Sequence, residues 1–470
     1  MFLPSCFVLY WLIGSKKIRL QNLFLLIFSY FFYGFWDVRF LALIFLSSLV
    51  DYAAALQIGN TNSTRKKKIY LWLSLIWNLG VLFSFKYFNF FVDSFITAFN
   101  LSGHQFGYSS LNIILPVGLS FYTFQTISYT IDVYKNKIKP TPRLLEFLCF
   151  VSFFPQLVAG PIERSSFLLP QFLKSRRFDI QAAKEGLRQI LWGLFKKIVV
   201  ADNLAIAVNA LFGNPYDYQS WELAYALTLF YFQIYCDFSG YADIALGSAK
   251  LFGFKLHVNF RLPHFAASIP DFWRRWNITL SQWFRDYVHI PFLQHRKRNI
   301  FNRRIALIIT FGLIGLWHGA AWTFIAFGLV HALYMIVYQT YDKKIKRNYK
   351  LNKFVFFEKV RILSAITLSF TLLVLSIVFF RAPDINTAFL ILSRIFSFIP
   401  DQDFQTIINF KILFLLGMLV MEFFTRKREY PLQYIEKKFP RAFRWTIYYF
   451  FVYIILRYGG PQESFIYFQF

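Results

Sequence analysis

Residues 305–341 read IALIITFGLIGLWHGAAWTFIAFGLVHALYMIVYQTY, a run without a single lysine, arginine, aspartate or glutamate, carrying two histidines, His318 and His331. Crossing the hydrocarbon core of a bilayer takes roughly 20 apolar residues in an α-helix, so this run is long enough for two spans. It sets the fold class to be tested along the rest of the chain, an all-α protein built in lipid.

Composition agrees. Of the 470 residues 57% are hydrophobic and 16% charged, whereas ordinary soluble domains carry roughly 25% charged residues. The mean hydropathy is +0.44, and the 63 Phe and 28 Tyr leave too little polar cover for a water-facing surface. The 51 Lys and Arg exceed the 24 Asp and Glu, giving +27, a balance that in a soluble protein would point to nucleic acid. Here the positive charge falls in short clusters between apolar runs, as in cytoplasmic loops, so no nucleic-acid partner is expected. Cys6, Cys149 and Cys236 lie far apart in apolar runs without CxxC or Cys/His spacing. Neither a disulfide framework nor a metal site is expected.

Residues 2–14 lack the basic n-region and small-residue cleavage site of a signal peptide and read as a short first span. Further apolar runs lie near 22–36, 39–59, 70–99, 110–134, 187–213, 221–240, 362–380, 410–424 and 445–458. With 305–341 counted as two, about 11 or 12 spans are expected. No repeat of 20 to 50 residues is visible, and one membrane-embedded domain is expected over 1–470. Basic clusters at Lys16 to Arg19, Arg65 to Lys68, Lys135 to Arg143, Arg296 to Arg304, Lys343 to Lys350 and Arg426 to Arg428 alternate with poorly charged loops. The positive-inside rule then puts these clusters in the cytoplasm and the N-terminus outside.

Two stretches are not simple spans. Residues 144–172 begin as an apolar helix, break at Pro155 and Gly160-Pro161, and end in Lys174, Arg176 and Arg177. They read as a re-entrant segment whose break lines a cavity, because non-helical backbone at membrane depth needs protein or water to satisfy it. Residues 254–304 are too polar for a span yet alternate Trp273, Trp276, Trp283 and Phe284 with Arg274, Arg275 and Arg285. They read as helices lying at the cytoplasmic interface.

The seven histidines are His104, His257, His264, His289, His295, His318 and His331, of which the last two lie inside an apolar span. An ionisable ring at membrane depth faces the bundle interior or a hydrated cavity. For His318, between Trp317 and Gly319, two readings stand: a functional group, or a neutral ring hydrogen-bonded to a neighbouring helix. His331, toward the far end of the hairpin, reads as a packing histidine. The chain has no G-x-S-x-G, Walker A or HExxH motif. A histidine without a serine or cysteine nucleophile beside it suits general-base work, drawing a proton from an attacking substrate hydroxyl. Cys236, a lone cysteine in an apolar helix, reads as packing.

Several motifs together resemble one family. They are LPVGLSFYTFQTISYTIDVY (115–134), FFPQLVAGPIER (153–164), QIYCDFSGYADIALG (233–247), NFRLPHFAASIPDFWRRWNITLSQWFRDYVHIP (259–291), GLWHGAAWTFIAFGLVHA (315–332), FFRA (379–382) and FIYFQF (465–470). In this order they resemble the membrane-bound O-acyltransferase (MBOAT) family, on the branch of alginate O-acetyltransferases and related envelope-polysaccharide acetylases. The likeness runs nearly end to end.

The resemblance implies that His318, the histidine of WHG, is catalytic. The second polar position of the family falls at Asn277, in WRRWN, where alginate-type relatives often carry histidine. An amide does not titrate near neutrality, so Asn277 is expected to position substrate or donate to an oxyanion. Asp237, Ser239, Tyr241 and Asp243 either touch substrate or fix their helix against Trp273 to Arg275. Arg274, Arg275 and Arg285 either attract the phosphates or acidic surface of an acyl donor, or anchor the segment to anionic lipid. Trp273, Trp276, Trp317 and His331 complete the supporting set.

The resemblance further implies no tightly bound cofactor, with acyl-CoA or an acyl carrier protein thioester as cytoplasmic co-substrate. It implies an extracytoplasmic glycan, or a periplasmic or secreted acyltransferase, as partner on the other side, and a multi-pass place in the bacterial plasma (inner) membrane. The acyl group is expected to be acetyl and the acceptor alginate or another envelope glycan. D-alanyl transfer from a carrier protein toward teichoic acid remains an alternative. A proton-coupled transporter or flippase is the alternative from another class, and the absence of a counterpart to the 155–161 break speaks against it.

Overall fold

The computed structural model describes residues 2–101, 111–218, 220–294, 296–297, 299–348, 355–397 and 410–466. His104, His295, Lys350 and the last four residues of the FIYFQF motif, Tyr467 to Phe470, lie outside them. The described residues form helices joined by turns and loops, with no strand among them. The protein is an all-α polytopic membrane protein. Among the described residues five helical stretches are long and apolar enough to cross a bilayer: Arg39–Asn60, Thr64–Asn100, Ile300–His318, Trp322–Tyr341 and Glu358–Arg381. Phe2–Leu12, Ile385–Ser397 and Ile412–Phe424 are apolar but shorter.

Several apolar runs divide in the folded chain. The 187–213 run is built from Ile180–Leu194, a π-helical segment Phe195–Ala201 and Asp202–Gly213. Residues 110–134 are helical from Leu119 to Tyr134. Ile385–Ser397 was not visible as an apolar run because Asn386, Thr387, Ser393 and Arg394 interrupt it.

The chain divides into two compact units, Met1–Leu187 with Ala245–His257, and Arg188–Ile244 with Val258–Phe470. In the first, Arg39–Asn60, Thr64–Leu82 and Leu119–Tyr134 pack around a buried acid, Asp51. Its carboxylate accepts from Asn78 Nδ2 at 2.9 and 3.0 Å, from Thr130 Oγ1 at 3.3 Å, and from the Ser74 hydroxyl. A buried carboxylate is tolerated only when paired or hydrogen-bonded, and this one is.

The break after Ser152 also lies in this unit. Helix Leu144–Ser152 ends, a single turn Phe154–Leu157 follows, and Ser165–Phe172 resumes. Protein side chains meet freed backbone groups there. Phe150 O accepts from Gln125 Nε2 at 2.7 Å and Gln156 Nε2 at 3.0 Å, and Phe154 N–H donates to Ser29 Oγ at 3.2 Å. Gly118 sits opposite with φ +73°, and a Cβ there would strike the Leu157 carbonyl oxygen; both features demand glycine. After the break, buried Glu163 accepts from the His257 backbone N–H at 2.5 Å and faces His257 Nδ1 at 2.7 Å. That hydrogen bond raises the pKa of the half-exposed imidazole above its ordinary 6.5, against the opposing effect of burial.

In the second unit, Ile300–His318 and Trp322–Asn348 form a tight hairpin. A Cβ on Gly315 would strike the Phe324 carbonyl oxygen, and one on Gly328 the Phe311 carbonyl oxygen. The two helices therefore touch backbone to backbone, the contact that small residues allow between helices in lipid. The turn between them, 319–321, follows directly on His318.

Candidate active site

His318 is the last residue of its helix and is 2% exposed. The Ile300–His318 helix rises about 27 Å, at 1.5 Å per residue, from the basic cluster at its start to this histidine. On the positive-inside reading the imidazole therefore lies well away from the cytoplasmic ends. Its ring is caged edge-on by Trp317 at 5.0 Å, Phe380 at 5.1 Å and Phe327 at 6.0 Å. Phe380 comes from the FFRA segment, where the helix Val378–Arg381 packs on the hairpin.

His331 lies midway along the second helix of the hairpin, not toward its end, and is fully buried. Its Nδ1 accepts from the Trp273 indole N–H at 3.2 Å, and its Nε2 lies 3.1 Å from Ser376 Oγ. Trp is a donor only, so Nδ1 is the unprotonated nitrogen and Nε2 carries the proton. Ser376 accepts that proton and passes its own to Leu373 O at 2.7 Å. Nδ1 of His331 thus holds the interfacial segment on the hairpin, and Nε2 ties the hairpin to the helix Val355–Ser376.

Ring contacts connect the two histidines to the WRRWN segment. Phe327 lies 4.5 Å from His331 and 6.0 Å from His318. Phe272 lies 6.2 Å from His331 and stacks on Trp276 at 5.5 Å. Trp276 in turn neighbours Phe260 at 5.2 Å and Tyr231 at 6.1 Å. The short helices expected in this segment are present as Ile269–Trp273, Ile278–Phe284 and Ile290–Gln294. Their tryptophans pack inward instead of standing at the interface: Trp273, Trp276 and Trp283 are all buried. Arg274 and Arg285 point outward, while Arg275 is half-buried. Arg275 pairs with Asp271 at 3.0 Å and Arg285 with Asp286 at 2.8 Å.

Asn277 is 0% exposed and occupies the N-cap position of Ile278–Phe284. An asparagine there ordinarily turns its side chain onto the first helical N–H groups. Here Asn259 does that work: its backbone carbonyl accepts from Ile278 N at 3.0 Å, and its Oδ1 accepts from Thr279 N at 3.0 Å and Thr279 Oγ1 at 2.9 Å. The Asn277 amide is released from capping, and neither its oxygen nor its nitrogen has a hydrogen-bond partner among the described residues. Its backbone is left-handed, with φ +40°, a conformation that strains any residue with a Cβ. Strain and an unpaired buried amide at one residue mark functional positions.

The polar run on Ser220–Leu251 is not held against Trp273 to Arg275. Its partners are two adjacent lysines of the π-helical segment, which sequence reasoning missed inside the 187–213 run. Lys196 Nζ lies 2.6 Å from Asp243 and donates to Ser239 Oγ at 2.8 Å, while Lys197 Nζ lies 2.8 Å from both Asp202 and Asp237. Buried lysines need anionic partners, and Trp273 is already engaged by His331. Gly193 and Gly240 allow the close approach: a Cβ on Gly193 would lie 2.5 Å from Gly240 O. Asp237 also accepts from Ile466 N at 2.7 Å and Lys197 donates to Glu463 O at 3.1 Å, tying down the end of the chain. The Tyr241 ring lies tilted against Phe465 at 5.3 Å. Cys236 is buried against Met418.

One further buried group was passed over. Glu422, a lone acid in the 410–424 run, accepts from Tyr235 at 2.9 Å and lies 3.4 Å from His264 Nε2. Tyr235 stands 6.4 Å from Trp276. A single acid in an apolar helix is the signal that would have found it.

The chain matches the family model for MBOAT, the membrane-bound O-acyltransferase family, over residues 23–381. It is 36% identical over 455 residues to a probable alginate O-acetylase of Pseudomonas aeruginosa, covering 94% of this chain and 82% of that protein. It is 36% identical over 420 residues to the peptidoglycan O-acetyltransferase of Helicobacter pylori, covering 83% and 77%. Against a teichoic acid D-alanyltransferase of Bacillus subtilis it is 31% identical over 253 residues, covering 50% and 62%.

Proposed function

This chain belongs to the membrane-bound O-acyltransferase family, and from that membership we propose that it passes an acetyl group from a cytoplasmic thioester toward a hydroxyl of an extracytoplasmic envelope polysaccharide. It is a membrane O-acyltransferase, and its place is the plasma (inner) membrane. The donor is acyl-CoA or a carrier-protein thioester, held as co-substrate. The acceptor is alginate or another envelope glycan, reached directly or through a periplasmic or secreted acyltransferase.

In the transfer step the acceptor hydroxyl oxygen attacks the thioester carbonyl carbon while His318 takes the hydroxyl proton. The Asn277 amide N–H donates to the oxyanion as it forms. The C–S bond then breaks, the new C–O ester bond remains, and the leaving thiolate recovers the proton from His318. The aromatic cage around the imidazole keeps bulk water from the ester. His331, with both nitrogens engaged, keeps the segment bearing Asn277 on the hairpin. The observation that carries this reading is the burial of both polar candidates in one unit, His318 2% and Asn277 0% exposed, with ring contacts running from His318 through Phe327, His331 and Phe272 to Trp276, the residue before Asn277. Acetyl is preferred to D-alanyl because the acetylating relatives cover more than four-fifths of the chain and the D-alanylating one half.

The test is ester acetate on envelope polysaccharides of cells carrying wild type, His318→Ala or Asn277→Ala, with membrane abundance checked. Loss of ester acetate at normal abundance supports the reading. Unchanged acetylation in His318→Ala removes His318 from the chemistry, and loss of ester D-alanine in place of acetate moves the activity to teichoic acid.

A further inference from the structure

A groove of about 580 Å³ opens at the foot of the hairpin, within the second unit. Leu293, Ile300, Leu307 and Ile336 give it an apolar lining, which Tyr338, Gln339 and Thr340 join, and Arg303 and Arg304 add two cations. His289 also lines it, with Nδ1 held 3.2 Å from Thr310 Oγ1. The volume lies in the range of small-molecule sites, roughly 300 to 1,000 Å³.

The two arginines stand in the first turns of Ile300–His318. Cations at a helix N-terminus oppose the helix dipole, so this is a place where stability alone would select acids. Both side chains are exposed, and neither makes an ion pair or a side-chain hydrogen bond among the described residues. Arg285, Arg275 and Arg188, by contrast, each hold a carboxylate. Arg303 and Arg304 thus present an uncompensated double charge at an apolar trough. The surface beside the groove is apolar and open: Ile300 is 58%, Phe301 68% and Val337 57% exposed. Surface of that kind in a membrane protein faces acyl chains, and the basic cluster at 296–304 marks the cytoplasmic end of the hairpin.

We propose that this groove binds an anionic phospholipid, the headgroup phosphate on Arg303 and Arg304 and one acyl chain along Leu293, Leu307 and Ile336. Forked guanidinium groups suit a phosphate diester, and the apolar lining continues outward into Ile300 and Phe301 as an acyl chain requires. A phosphate-bearing acyl donor shares the headgroup chemistry, but it arrives from water and has no use for a trough that opens onto lipid-facing side chains. The assignment stands apart from the acyl-transfer reading and survives its failure.

The test is native mass spectrometry of the full chain purified in detergent and titrated with phosphatidylglycerol or phosphatidylcholine. Wild type is expected to retain phosphatidylglycerol in preference, and the double variant Arg303→Gln with Arg304→Gln to lose about tenfold in that retention. Arg303→Lys with Arg304→Lys keeps the charge without the forked geometry and is expected to lose less than the glutamine variant, which separates a binding defect from misfolding. Lys437→Gln with Lys438→Gln, an exposed basic pair elsewhere on this unit, is expected to change nothing. Equal retention of the two lipids, or a preference indifferent to the arginine-to-glutamine variant, overturns the proposal. Displacement of phosphatidylglycerol by coenzyme A through the same arginines also overturns it and assigns the groove to the donor.

Discussion

Trp273 donates its indole N–H to Nδ1 of His331 across 3.2 Å, and this bond fixes the neutral tautomer of a histidine buried in the hairpin. It tells the two intramembrane histidines apart. His331 has a partner on each nitrogen, whereas the contacts that define the His318 pocket are aromatic.

His331→Phe removes the acceptor of the Trp273 indole N–H and leaves that buried donor unpaired, while Ser376 keeps its bond to Leu373 O. An unpaired buried donor costs about 1 to 3 kcal/mol. A lower unfolding temperature in detergent is expected, with acetylation per folded molecule falling less than in His318→Ala. Equal loss of turnover in both at full abundance contradicts the division of roles.

His318→Ala is expected to lower transfer by a factor of about 100 or more, the usual contribution of a positioned acid–base group. His318→Gln keeps the size and hydrogen-bonding capacity of the side chain but not the basicity, and is expected to fall equally. Single-turnover acetyl transfer in purified protein is the measurement.

Asn277→Gly separates strain from chemistry. Glycine accepts φ +40° without penalty, so folding is expected to be kept or improved while transfer falls about 100-fold with loss of the amide donor. Transfer at the wild-type level in Asn277→Gly shows that the residue matters only for its backbone.

Lys197→Met leaves Asp202 and Asp237 buried without their shared cation, whose Nζ lies 2.8 Å from each. Breaking a buried ion pair by removing one partner costs about 3 to 5 kcal/mol. Membrane abundance and unfolding temperature are expected to drop, and Lys197→Met with Asp237→Asn to recover part of the loss.

The His257–Glu163 pair gives a pH signature. The imidazole pKa is raised above 6.5 in the folded protein, so its contribution is complete below the unfolded value and disappears as pH rises through the folded one. The unfolding-temperature difference between wild type and His257→Gln is expected to be largest on the acid side and to vanish on the alkaline side. The half-exposed ring keeps the effect small. A difference independent of pH refutes the assignment.

Much of this was legible along the chain because lipid imposes strict rules on local sequence. The hairpin at 305–341 follows from its length and freedom from charge, and WHG with WRRWN points to His318 and Asn277. Lys196 and Lys197 were hidden because an apolar run tolerates two polar residues without losing its look of a span. The π-helical turn that aims them at Asp237 and Asp243 has no sequence signature of its own. Trp273, Trp276 and Trp283 misled in the other direction, since alternation with arginine describes an interface helix and a buried one equally well.

The sequence by itself determined that this protein is helical, lives in a membrane and belongs with the O-acyltransferases, since hydropathy and ordered motifs are properties of the linear chain. Only the tertiary structure decided which polar residues face one another. It handed capping to Asn259 and left the Asn277 amide without a partner among the described residues, committed both nitrogens of His331, and gave Asp237 and Asp243 to lysines 40 or so positions earlier. The physical reason is that a buried polar group must find a partner or bear the cost of lacking one, and partners are set by packing across helices, which no local pattern encodes.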